Sequence, residues 1–174
     1  MGQYYNSMPL NNSILVEELR KFTDPTLGDN FLNFPVDEAD AIDKLVNAID
    51  LYVNDAASGV QFVLLPDPVS TTQGDAITAF KTALSGMSVP LAGIVAVQAG
   101  ILAYVTILGT GFTTYQPPVL PESGPDLSPT TEEPTAKEAA EEIADIVAQW
   151  FTEVSSVPIA GGTAIPWNVV PPPV

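Results

Sequence analysis

Residues 82–120 carry no charged side chain, in a chain of 174 residues of which 15% are charged. The centre of that stretch, 89–112, is apolar and long enough to span a bilayer. It must therefore either cross a membrane or be covered by protein, and either requirement shapes everything around it. Gln98, several glycines and Thr106 lower its hydrophobicity, no Lys or Arg flanks it closely, and Tyr104 and Phe112 are its only aromatics. A membrane helix usually has basic flanks and an aromatic belt. Ala92, Gly93, Ala96, Ala99 and Gly100 would instead let neighbouring helices approach closely. The stretch is expected to form a core helix over 90–108, opened by Pro90, closed by Gly109 and Gly111, and wrapped by the other helices. A single membrane span stays as the alternative.

The remaining helices follow from periodicity. Ile14, Leu15, Leu19 and Phe22 predict a short helix ended by Asp24-Pro25. Ile42, Leu45, Val46, Ile49, Tyr52 and Val53 recur at helical spacing over 36–54, with Asp37, Glu38 and Asp40 at the positive end of the helix dipole. Ile77, Phe80, Leu84 and Met87 mark a helix over 71–86. Ser70-Thr71-Thr72-Gln73 has capping-box spacing at its start, and Gly86 is placed to stop it. A last helix begins at Thr135, where Thr135-Ala136-Lys137-Glu138 is a second capping box. Its apolar face is Ala139, Ile143, Val147, Trp150, Phe151 and Val154. Leu45, Ile49, Tyr52 and Val53 match Ile143, Val147, Trp150 and Phe151 at one constant offset, as a duplicated unit or two unrelated amphipathic helices would.

The expected fold class is mainly α: a small helical bundle with an extended Pro-rich linker and N- and C-terminal arms. A short β element around 62–65, pairing with 159–170, fits the apolar runs there. The expected divisions are an N-terminal arm and short helix (1–35), a helical body (36–112), a Pro-rich linker (113–134), and an amphipathic helix with an extended apolar arm (135–174). The predicted core holds Ile42, Leu45, Ile49, Tyr52, Phe80, Leu84, Ile94, Ile101, Leu102 and Tyr104. The first ten residues show no basic-then-apolar signal pattern, so the mature chain is expected to start at or near Met1.

Composition narrows the chemistry. Against 21 Asp and Glu stand Arg20, Lys21, Lys44, Lys81 and Lys137, giving a formal net charge of −16. Nucleic-acid binding needs clustered Lys and Arg, and an anionic membrane surface would repel this chain. With no Cys and no His, disulfides, Cys/His zinc sites, imidazole bases and the usual Ser-His-Asp triad are excluded. Asp40/Lys44 and Asp43/Asn47 lie at i,i+4 spacing, which on an acidic helix describes solvated surface groups. Neither an EF-hand pattern nor a phosphate-binding loop is present. We therefore expect no enzyme, and no catalytic, cofactor-binding or metal-binding residues.

What remains is recognition through apolar side chains. Phe31, Phe34, Phe62, Leu64, Trp167, Val169 and Val170 lie in irregular or proline-rich segments and are the candidate partner-binding residues. Trp150 sits on a helical stripe and reads as core. Trp167 could dock on a partner or pack on its own domain.

Several strings together resemble small structural proteins of tailed bacteriophages. They are Ile14-Leu-Val-Glu-Glu-Leu-Arg-Lys-Phe-Thr-Asp-Pro25, Phe31-Leu-Asn-Phe-Pro35, Ala48-Ile-Asp-Leu-Tyr52 and the Ala/Gly-rich helix pair over 76–110. Gly111-Phe112…Pro117-Pro118, the helix over 139–151 and Thr163-Ala-Ile-Pro-Trp167-Asn168 complete the set. The resemblance covers nearly the whole chain, though each motif is short. It implies a virion component without catalytic residues, partnered by copies of itself and other virion proteins. Pro166 departs from the family's pattern and weakens the expectation of a regular final strand. On this reading, deleting 158–174 should leave a folded protein that fails to assemble. The rival readings are a single-span small membrane protein and a soluble acidic adaptor or inhibitor that imitates nucleic acid.

Overall fold

In the computed structural model, residues 10–28, 33–55, 58–60, 64, 70–85, 90–129 and 135–168 are described, and the account below concerns these. The fold is mainly helical, with five helices and one small sheet among the described residues: α1 (Asn12–Thr23), α2 (Glu38–Val53), α3 (Gln73–Leu84), α4 (Pro90–Thr110), α5 (Ala136–Phe151), β1 (Ser155–Ser156) and β2 (Ile165–Pro166). In space the helices run α5, α1, α2, α3, α4, each packed on the next.

Local chemistry sets most helix ends. The Asn11 side chain accepts from the Ser13 amide to start α1, and Asp24 closes it by donating its amide to the Arg20 carbonyl. Asp37 caps α2 by accepting from the Asp40 amide, and Asp40 in turn accepts from the Val36 amide at 2.9 Å. At α5, the Thr135 hydroxyl accepts from the Glu138 amide at 3.2 Å and donates to the Glu138 carboxylate at 2.6 Å. These contacts satisfy donors that the first turn cannot pair internally.

The expected capping box at 70–73 does not form. Thr72 is the N-cap of α3 and makes no side-chain cap bond. The Ser70 hydroxyl donates instead to the Leu108 carbonyl at 2.6 Å, Thr72 to the Ile107 carbonyl at 2.5 Å, and Thr71 to the Gly111 carbonyl at 3.2 Å. The hydroxyls close the carbonyl end of α4 from across the chain. Gln73 reaches the Asp50 carboxylate. Gly111 permits this close approach, since a Cβ there would meet the Ser70 hydroxyl.

The core contains Ile49, Tyr52, Phe80, Leu84, Ile101 and Tyr104, while Ile42, Leu45, Ile94 and Leu102 pack against it half-buried. Its centre is a run of rings. Tyr52 meets Phe151 edge-on at 6.3 Å, Phe151 stacks on Trp167 at 6.1 Å, and Trp167 meets Phe112 edge-on at 6.0 Å.

Three expectations are corrected here. The first is the division into arm, body, linker and arm. Helix α1 lies between α2 and α5 and buries Leu15 and Leu19. The described part of the linker, 113–129, is stitched down rather than spanning free space. Tyr115 and Leu127 are buried, Val119 exchanges both backbone hydrogen bonds with Ser155, and Gln116 donates to the Val157 carbonyl. The second is the C-terminal arm. The stretch 158–168 returns through β2, which pairs antiparallel with β1 in the register Ser155↔Pro166, Ser156↔Ile165. It ends with Trp167 wholly buried, so deleting 158–174 would open the core. Among the described residues the partner of this returning segment is 155–156; the expected partner, 62–65, lies outside the described residues apart from Leu64. Third, α4 is not wrapped on all sides. It packs along α3, and only 39% of its span over Gly93–Thr110 is buried. The expected Gly86 stop lies outside the described residues, as do 1–9, 130–134 and 169–174.

Candidate interaction surface

The expected partner-binding residues divide sharply. Trp167 and Leu64 are buried in the chain's own core. Trp167 also spends its indole N–H on the Ser156 hydroxyl at 2.9 Å. Neither is on the surface, because the returning segment and the turn at Leu64 belong to the domain itself. Phe34 is half-exposed beside Val36, which is 87% exposed, at the entrance to α2. Phe31, Phe62, Val169 and Val170 lie outside the described residues.

Among the described residues the other exposed large apolar side chains are Leu51, Val95, Val119 and Ile159. Val119 and Ile159 belong to the two hydrogen-bonded segments 114–119 and 154–159. Val95 begins a stripe along α4 that continues through Ala99 and Thr106 to Thr110, all exposed, with Leu102 and Ala103 half-buried beside them. Sequence reasoning placed this stripe in the core, since α4 is apolar all round and periodicity cannot choose a face. The threonines carried a signal: β-branched polar residues at 106 and 110, one turn apart, mark the face with least need of burial. Both hydroxyls turn back onto their own helix, Thr106 to the Leu102 carbonyl at 2.7 Å and Thr110 to the Ile107 carbonyl at 2.7 Å.

The polar groups work as cross-links. Asp50 accepts from the Tyr104 hydroxyl at 2.6 Å, from Asn54 at 3.0 Å and from Gln73 at 3.0 Å, tying α2 to α3 and α4. Burial, then the Asp50 charge, pushes the Tyr104 hydroxyl well above its ordinary pKa. Asn168 donates to the Ala148 carbonyl at 2.8 Å and accepts from the Leu10 amide at 2.9 Å. Asp24 has its carboxyl lowered to about 2 by the Thr26 hydroxyl, then Arg20, then the Thr26 amide. Among the described residues no buried side-chain N or O lacks a hydrogen-bond partner.

An open cleft of about 470 Å³ lies between the 125–126 segment and α5, lined by Pro125, Asp126, Asp145, Ile146, Gln149, Trp150 and Glu153. Its groups are largely engaged in holding the chain together. Asp126 accepts from the Ser128 hydroxyl at 2.6 Å and Asp145 from Asn12 at 3.1 Å, while the Trp150 indole donates to the Ser123 carbonyl at 2.9 Å. Among the described residues no three metal-capable side chains gather into a site. The chemistry this surface offers is burial of apolar area. Comparison with protein-family models, curated proteins and solved structures finds no match for this chain.

Proposed function

We propose that this chain is a non-enzymatic structural component of a tailed-phage virion, assembling with copies of itself and with other virion proteins. The observation that carries assembly is the set of large apolar side chains left outside: Phe34 and Val36, Val95, Val119 and Ile159. In a chain otherwise kept soluble by a net charge of −16, such surface gains stability when a partner removes it from water, at roughly 25 cal/mol per Å² before ordering costs. The contacts named here come from faces of the folded body. The virion assignment rests on the resemblance. Its strings include Gly111-Phe112, Trp167-Asn168 and Phe151, which meet at one internal joint, so they supply the fold on which such surfaces are carried.

The test is immunogold electron microscopy of native material, with antibody raised against the recombinant chain. Gold at a fixed position on particles supports the reading and gives the location. Particles without gold, beside labelled membranes, overturn it.

One observation favours the membrane reading. Helix α4 is the one helix among the described residues long and apolar enough to cross a bilayer. Against it, α4 is packed along α3, which carries Asp75 and Lys81, and its Tyr104 is bonded to the Asp50 carboxylate. Solubility without detergent separates the two.

A further inference from the structure

We infer that the outer face of α4 is where a second copy of this chain docks. The inference rests on the assembly reading and deepens it, by naming the face and the partner.

The argument begins with the cations. All five are ion-paired within the chain: Arg20 to Asp24, Lys21 to Glu18, Lys44 to Asp40, Lys81 to Asp43 and Lys137 to Glu141. No basic patch is left to meet the carboxylates of another copy. Two molecules, each at −16, repel wherever carboxylates face each other. A partner with a basic surface would choose the acidic faces. An acidic partner needs a face without charge, and a second copy is such a partner.

The outer face of α4 meets that need. It lies inside the uncharged run 82–120 and presents Val95, 64% exposed, with Ala99, Leu102, Ala103, Thr106 and Thr110. Because both threonine hydroxyls are already bonded to the helix backbone, their methyl groups complete a surface that asks for no polar partner. Burying it leaves no unsatisfied group, which is the usual cost of drying a polar face. The carboxylates bonded to α4 meet residues off the stripe: Asp126 accepts from Gln98 at 3.4 Å and Asp50 from the buried Tyr104 at 2.6 Å. Two copies of this face related by a two-fold axis contact each other with the same residues. At 21 residues the helix is about 30 Å long, enough for several turns of contact.

A salt effect separates this from docking by a basic partner. Screening weakens attraction between opposite charges, but it also weakens repulsion between like-charged copies. Self-association through α4 therefore tightens as salt rises.

The experiment is sedimentation equilibrium of the full chain without detergent, at 50 and 500 mM NaCl. The wild type should associate with rising concentration, more tightly at 500 mM. Ala99→Glu, on an exposed helical site where Glu is well tolerated, should weaken association at least about tenfold with unchanged far-UV circular dichroism, since one charge is then duplicated across the two-fold. Thr106→Lys is the second variant should the first misfold. Gln149→Glu, which also adds a charge at an exposed helical site but on α5, should associate as wild type does. A monomeric wild type at all concentrations overturns the inference, as does an Ala99→Glu chain that associates normally, or Gln149→Glu abolishing association. Flotation of the wild type, but not of Ala99→Glu, with phosphatidylcholine vesicles would assign the face to a bilayer instead. None of these readouts uses particles, so a failure here leaves the gold-labelling test of the virion reading standing.

Discussion

Trp167→Ala tests the claim that the C-terminal segment is core. The side chain is wholly buried between Phe112 and Phe151. An aromatic of this size buries about 150–250 Å², worth roughly 4–6 kcal/mol at 25 cal/mol per Å². Measured Trp and Phe truncations to Ala cluster at about 3–5 kcal/mol, so about 4 kcal/mol is expected. That is a large part of the roughly 5–15 kcal/mol holding a domain folded. For a chain of this length each kcal/mol moves the melting temperature by about 2–4 °C, giving a fall of roughly 8–16 °C. Thermal unfolding followed by circular dichroism reads it directly. Trp167→Phe keeps a ring but loses the bond to Ser156, and should cost less, near the ~1 kcal/mol of a hydrogen bond plus a partial cavity. A fall under about 3 °C for Trp167→Ala would mean that the segment is peripheral, and the free-arm account would return.

Two further predictions follow. Asp24 has a folded pKa of about 2, below the ~3.9 of an unfolded Asp. Its contribution is therefore present above pH ~4 and lost as pH falls toward 2. Urea unfolding across that window should show Asp24→Asn with a flatter acid dependence than wild type, and parallel curves would refute the assignment. Glycine substitutions should split by contact. At Gly124 a Cβ would meet the Gln98 backbone oxygen, whereas at Gly74 nothing lies within 4 Å. Gly124→Ala should destabilise by about 1–3 kcal/mol and disturb Trp150 emission, through Ser123 next door. Gly74→Ala, within α3, should stabilise by about 0.4–1 kcal/mol. Equal effects in chemical denaturation would show that the 113–129 segment does not rest on α4.

The helices were legible because their signals are local. The periodic runs and the cap at Thr135 lie within a few residues of what they control, whereas Asp37, expected in the first turn of α2, is its N-cap. The offset between α2 and α5 also has a physical meaning, since Val53 and Phe151, like Ile49 and Val147, are buried, and both helices pack on α1. What was not legible depends on distant partners. Ser70 and Thr72 resemble an N-cap from sequence, but their hydroxyls go to carbonyls 38 and 35 residues away. Proline between 113 and 129 signals an extended chain, yet cannot say whether that chain is solvated or laid across a neighbour. Trp167 looked unattached because its partners, Phe112 and Phe151, come from two other segments.

The error about α4 is the most informative of these. Uniform hydrophobicity predicts uniform burial, but burial requires enough protein to cover every side. Here α4 packs on α3 and against the 113–129 segment, and α2 reaches it through the Asp50–Tyr104 bond. The sequence kept the uncovered side free of charge even though solvent would tolerate charge there, and the surplus of 16 carboxylates was placed elsewhere. A monomer has no use for that arrangement, since a single exposed Glu at position 95 or 99 would cost the fold little. A chain that must meet another strongly acidic surface does have a use for it. The absence of charge is then the informative part of the sequence, and association of the intact protein is the property to measure against it.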